Sequence, residues 1–84
     1  MIIKETIEVR GVTRIPASHA AKVLAAGVQD DRPVVWVDEP YMESRIGRLT
    51  VFSVFTGDKA PEEARYINTI QNHGIVAHVY ESNL

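Results

Sequence analysis

The sequence predicts a mainly β fold: a small antiparallel barrel or sandwich with at most one short helix, with an α+β arrangement as the alternative. Three stretches carry that expectation. Arg48 to Thr56 reads RLTVFSVFT, a strand-length run whose two faces are both mostly apolar. Pro33 to Val37, PVVWV, follows Asp30-Asp31 as a strand follows a turn. Ile75 to Glu81 follows Asn72-His73-Gly74, where Gly74 can supply the positive φ of a tight hairpin.

Along the chain, Ile3, Glu5, Ile7 and Val9 alternate with Lys4, Thr6, Glu8 and Arg10, which suggests a first strand broken by Gly11. Val12 to Ile15 gives a short extended piece before Pro16. The segment ASHAAKVLAAG reads two ways. Ser18 as a cap, the four alanines that follow it and a terminal Gly27 describe a helix. Lys22 to Val28 describes a strand returning through Asp30-Asp31. Asp38 to Gly47 is a polar loop with Pro40 and Tyr41. DKAPEEARYINTIQNHG is equally open. Asp58 or Lys59 ahead of Pro61 and two glutamates starts a helix, whereas Arg65 to Gln71 makes a strand. Residues 17–27 and 58–71 therefore stay open between helix and strand.

Eighty-four residues make a single domain, 1–84. A chain this short buries only ~60–65% of its unfolded surface, so a homodimer would add needed burial. There is no cysteine, hence no disulfide framework and no thiolate chemistry. No apolar run reaches the ~18 residues that span a bilayer, and the start MIIKE lacks a signal peptide's pattern. The expected location is the cytoplasm of a host cell, with no membrane partner. A net charge of −2 gives no bulk attraction to nucleic acid, so direct nucleic-acid binding is not expected. Yet six of the nine basic residues are arginines, whose rigid donor forks suit carboxylates and phosphates.

Gly27 to Pro40, GVQDDRPVVWVDEP, holds four carboxylates and the one tryptophan. At ~3.3 Å per residue, a strand between the acidic pairs sets them ~20 Å apart. Two-carboxylate chemistry needs about 5–10 Å, so this stretch reads as a hairpin and not as an acid–base or metal site. Trp36, among valines, is expected in the core. His73 and His78 should point different ways, with His78 half-buried on a sheet face beside Tyr80 and Val76. The serines lack a nucleophile-elbow setting and the glycines are dispersed. No catalytic residue, metal or cofactor is expected.

VQDDRPVVW (Val28–Trp36), FSVFTG (Phe52–Gly57), and YINTIQ with HGIVAHVYE (Tyr66–Glu81) occur in this order. The pattern resembles a family of small, functionally uncharacterised proteins found mainly in phages and prophages. The resemblance covers roughly residues 15–81. It implies a mainly β fold, tilts both open segments toward strands and transfers no catalytic residue. SHAAKVLAAG and PEEA depart from the family pattern.

That context leads us to expect a non-catalytic accessory protein acting by stoichiometric binding, in the first reading a counter-defence inhibitor of the anti-CRISPR kind directed at a host protein complex. Exposed Asp30, Asp31, Asp38, Glu39 and Glu43 would mimic phosphates. A rival reading is a sponge for a signalling nucleotide, using arginines (Arg45, Arg48 and Arg65 are the candidates), stacking aromatics and a dimer interface that encloses the pocket. Thr50, Thr56, Thr69 and Gln71, with Arg48 and Arg65 near the strand ends, would furnish a polar, arginine-rimmed pocket. A third is a structural or virion accessory protein.

Overall fold

A computed structural model describes residues 1–82. The chain is seven strands: β1 Ile2–Thr6, β2 Gly11–Ala17, β3 Lys22–Gln29, β4 Arg32–Asp38, β5 Gly47–Phe55, β6 Arg65–Asn72 and β7 Ile75–Ser82. A single 3-10 turn at Met42–Ser44 is the one helical element among the described residues. Among the described residues no helix is long and apolar enough to cross a membrane. The strands form two antiparallel sheets, one ordered β1-β4-β3 and the other β2-β5-β7-β6. The Cα extents of 38 × 29 × 15 Å fit two layers stacked ~10 Å apart, a sandwich-like arrangement.

Neither open segment is helical: within 17–27 the chain becomes a strand from Lys22 after a turn, and within 58–71 it does so from Arg65 after an irregular stretch. Lys22–Gln29 is β3 and Arg65–Asn72 is β6. The first strand is shorter than its alternation suggests and ends at Thr6, because residues 7–10 turn the chain from one sheet into the other. Arg10 clamps this turn from outside. Its guanidinium makes a two-point contact with Asp58, at 2.6 and 3.0 Å, and lies 4.8 Å over the Phe55 ring.

Period-two alternation decides the core. Val35 and Val37 of β4, Leu49 and Val51 of β5, and Ala77 and Val79 of β7 form one buried cluster with Ile15, Val23 and Ile70. Trp36 falls on the opposite parity, which corrects the expectation of a core tryptophan. It lies half-buried on the outer face of the three-stranded sheet, against Gly27. A Cβ built on Gly27 would sit 2.8 Å from that ring, so only glycine leaves it room.

The same parity turns two acids inward. Glu39 continues the Val35–Val37 face, and Glu81 continues the Ala77–Val79 face. Both are satisfied by nearby donors and fix neighbouring backbone. Glu39 accepts from Ser18 and from the Tyr41 amide. Glu81 accepts from the Val23 amide and from Arg65 at 2.7 Å.

The two sheets meet along β3 and β6, and side chains join them there. Asn68 acts as a stand-in peptide group: its Oδ1 accepts from the Ala26 amide at 2.8 Å and its Nδ2 donates to the Ala26 carbonyl at 3.0 Å. Arg65 donates to the Val23 carbonyl at 2.8 Å. Asn72 donates to the Asp31 carbonyl at 3.0 Å, tying together the tips of two hairpins. Each tip is a two-residue turn with positive φ at both positions, Asp30-Asp31 at 51° and 62°, His73-Gly74 at 51° and 78°. That is the geometry matching the right-handed twist of paired strands.

Candidate binding face of the four-stranded sheet

The outer face of the β2-β5-β7-β6 sheet brings chemistry-bearing side chains together. Cross-strand register places Val12 opposite Phe52, Phe52 opposite Tyr80, and Tyr80 opposite Tyr66. The result is an apolar and aromatic line running across all four strands. Tyr66 and Tyr80 meet edge to face with ring centroids 5.5 Å apart, and Tyr66 is 51% exposed.

On one side of this line stand Arg14, paired in register with Thr50, and Arg48 beyond it. Both are exposed and make no ion pair among the described residues, unlike Arg10 and Arg65. On the other side is His78. Its Nε2 lies 2.9 Å from Thr56 Oγ1 and its Nδ1 lies 2.9 Å from Thr69 Oγ1, while the Tyr66 hydroxyl is 2.6 Å from Thr69 Oγ1. Hydroxyls can donate or accept, so they satisfy both ring nitrogens and hold the imidazole in one orientation. The outward positions of these four strands carry no Asp or Glu, although the chain as a whole has net charge −2.

The residues singled out by sequence are distributed differently. Asp30 and Asp31 are exposed at the β3–β4 turn, where Asp31 Oδ1 lies 3.1 Å from His73 Nε2. Asp38 stands at the far end of β4, and Glu43 is exposed on the 3-10 turn. The acids are therefore split between two ends of the molecule and form no single patch.

Glu39 corrects the expectation of an exposed acid: it is 1% exposed. It accepts from the Ser18 amide at 2.7 Å, the Ser18 hydroxyl at 2.5 Å and the Tyr41 amide at 3.1 Å. Burial on its own would raise the Glu39 carboxyl, and it is the largest single influence. The Ser18 and Tyr41 hydrogen bonds, with Arg45 nearby, together outweigh it and hold the group below its ordinary value. Arg65 is engaged structurally, donating to Glu81 and to the Val23 carbonyl. Arg45 is exposed, with Nε donating to the Met42 carbonyl at 3.3 Å. Thr56 and Thr69 do converge, but on His78.

A second feature lies where the β2–β3 turn meets the loop before β5. A cleft of about 620 Å³ there is lined by Ser18, His19, Ser44, Ile46 and Arg48, among others. Ile46 is 98% exposed at its rim, and His19 stacks on Tyr41 with centroids 5.8 Å apart. Among the described residues no three His, Asp or Glu side chains are grouped to hold a metal ion.

The signal for the aromatic line was present in the alternation of Phe52, Tyr80 and Tyr66, but the register that aligns them was not. A family model described as a domain of unknown function, DUF7352, matches residues 1–84. No curated protein and no solved structure matches the chain.

Proposed function

The chain belongs to the DUF7352 family, and from that premise we propose that it works by stoichiometric binding, not turnover, through the outer face of its four-stranded sheet. One observation carries the reading. A face free of carboxylates, with a line of rings and two arginines that have no ion-pair partner among the described residues, stands on a protein that is acidic overall. Such a face complements an anionic partner. Phosphate mimicry by the acids loses its basis, because those acids are separated and Glu39 is buried. The face is open, which favours a macromolecular surface over the enclosed pocket that a nucleotide sponge requires. The counter-defence setting, in which the partner is a host complex, rests on the sequence resemblance alone.

The test is capture. Immobilised protein is exposed to extract from cells carrying an active defence system, and the eluate is weighed by native mass spectrometry. A partner should be retained at fixed stoichiometry by the wild type and lost from Tyr66→Ala. Retention by that variant, or a bare wild-type protein, would overturn the reading.

A further inference from the structure

We infer that this face takes single-stranded nucleic acid, with bases stacked against Phe52 and against the edge-to-face Tyr66–Tyr80 pair and the adjoining phosphates on Arg14 and Arg48. The inference rests on the reading of the face as the binding surface and names its ligand. Direct register pairing sets the three rings on adjacent strands, so they step across the sheet at ~4.8 Å per strand and span ~10 Å in all. A row of rings on an open sheet is a stacking platform for unpaired bases, which every base can use because every base has a π-face.

The arginines stand to one side of that row. Arg14 is two residues along β2 from Val12, which heads the row, so it lies ~7 Å away from the line. Arg48 is two residues beyond Thr50, Arg14's partner on β5. Neither is neutralised by a carboxylate among the described residues, and none stands on the face to repel a phosphate. An acidic protein patch would answer the guanidinium groups alone. Bases joined by phosphates answer both the guanidinium groups and the rings. The overall charge of −2 is carried on other surfaces, such as the Asp30-Asp31 turn, so it does not govern this one.

The experiment is fluorescence anisotropy with a labelled mixed-sequence single-stranded octanucleotide, competed by the matching duplex and by free nucleotides. Saturable binding to the single strand is expected, with the duplex and free nucleotides competing poorly. Two phosphate contacts predict a slope of log K against log salt of about −1.4, and Arg14→Ala or Arg48→Ala should each make it shallower by about 0.7. Tyr66→Ala should weaken binding about tenfold or more, while Tyr66→Phe retains it. Lys4→Ala removes the same charge from the other sheet and should change little. Thermal melts by circular dichroism confirm that each variant is folded.

No saturable binding, or an equal loss in Lys4→Ala, would overturn the assignment. Competition by free nucleotides as strong as by the strand would replace it with a mononucleotide site. Failure here while Tyr66→Ala still strips the captured partner would discard the ligand and keep the face. If Tyr66→Ala changes neither measurement, the face itself falls.

Discussion

Glu39 is where three parts of the chain converge: the β2–β3 turn through Ser18, the loop through Tyr41, and the first residue, whose backbone exchanges hydrogen bonds of 2.9 and 3.0 Å with that of Glu39. Its ordinary carboxyl value is 4.5 and the fold lowers it. A carboxyl depressed on folding contributes stability above its unfolded value, and that contribution is lost as pH falls through the folded one. Asp58 behaves the same way below 3.8, held down by the Phe55 amide and by Arg10. Melting temperature should therefore be flat from pH 7 to about pH 5 with respect to these groups, then fall through the acid range. Glu39→Gln should melt lower at pH 7 and show a shallower acid limb in melts followed by circular dichroism. Gly27 is decided by a different force, contact. Gly27→Ala drives a methyl into the Trp36 ring and should cost about 1–3 kcal/mol. In a Trp36→Leu background most of that cost should vanish, which a double-mutant cycle by urea denaturation would measure.

At the scale of elements, the β3–β6 seam explains why an alanine-rich segment becomes a strand. Ala25 stands opposite Trp36, and Ala26 offers its bare peptide group to Asn68. Alanine fits because larger side chains would crowd the ring and the seam, so packing overrides a helical propensity of tenths of a kcal/mol per residue. The helix-start pattern around Pro61 fails similarly. Residues 59–64 stay irregular, with Glu63 at φ 54°, and the strand begins at Arg65 once the chain reaches Glu81. Both strands at the seam carry register shifts, between Val23 and Ala25 and between Tyr66 and Asn68. These bulges aim Asn68 across the gap. Asn68→Ala should destabilise the protein by about 1–3 kcal/mol, because it strands the Ala26 amide and carbonyl. Hydrogen exchange at the Ala26 amide should quicken in that variant, and unchanged exchange would mean the seam holds without Asn68.

For the whole molecule, one buried cluster draws residues from both sheets, and side-chain hydrogen bonds bridge the seam. Neither sheet has a core of its own, so unfolding should be a single event. Trp36 fluorescence, reporting the three-stranded sheet, and far-ultraviolet circular dichroism, reporting both, should give coincident urea transitions. Separate midpoints would show two independent units. Charge is segregated at this scale too. Acids occupy turns, loops, inward positions and the end of β4, leaving the outer face of the larger sheet free of them.

The sequence alone determined the mainly β class, the turns at Asp30-Asp31 and His73-Gly74, the strands at RLTVFSVFT and PVVWV, and the half-buried place of His78, because alternation and turn chemistry act over a few neighbouring residues. Tertiary structure alone decided four matters: which face of β4 turned inward and so left Trp36 outside the core, that Glu39 was buried, that Arg65 was consumed by Glu81, and that Phe52, Tyr80 and Tyr66 formed one line. Parity along a strand is local. Which parity meets the core, and which residues meet across strands, depends on register between segments up to dozens of residues apart, and only the assembled sheets set that register.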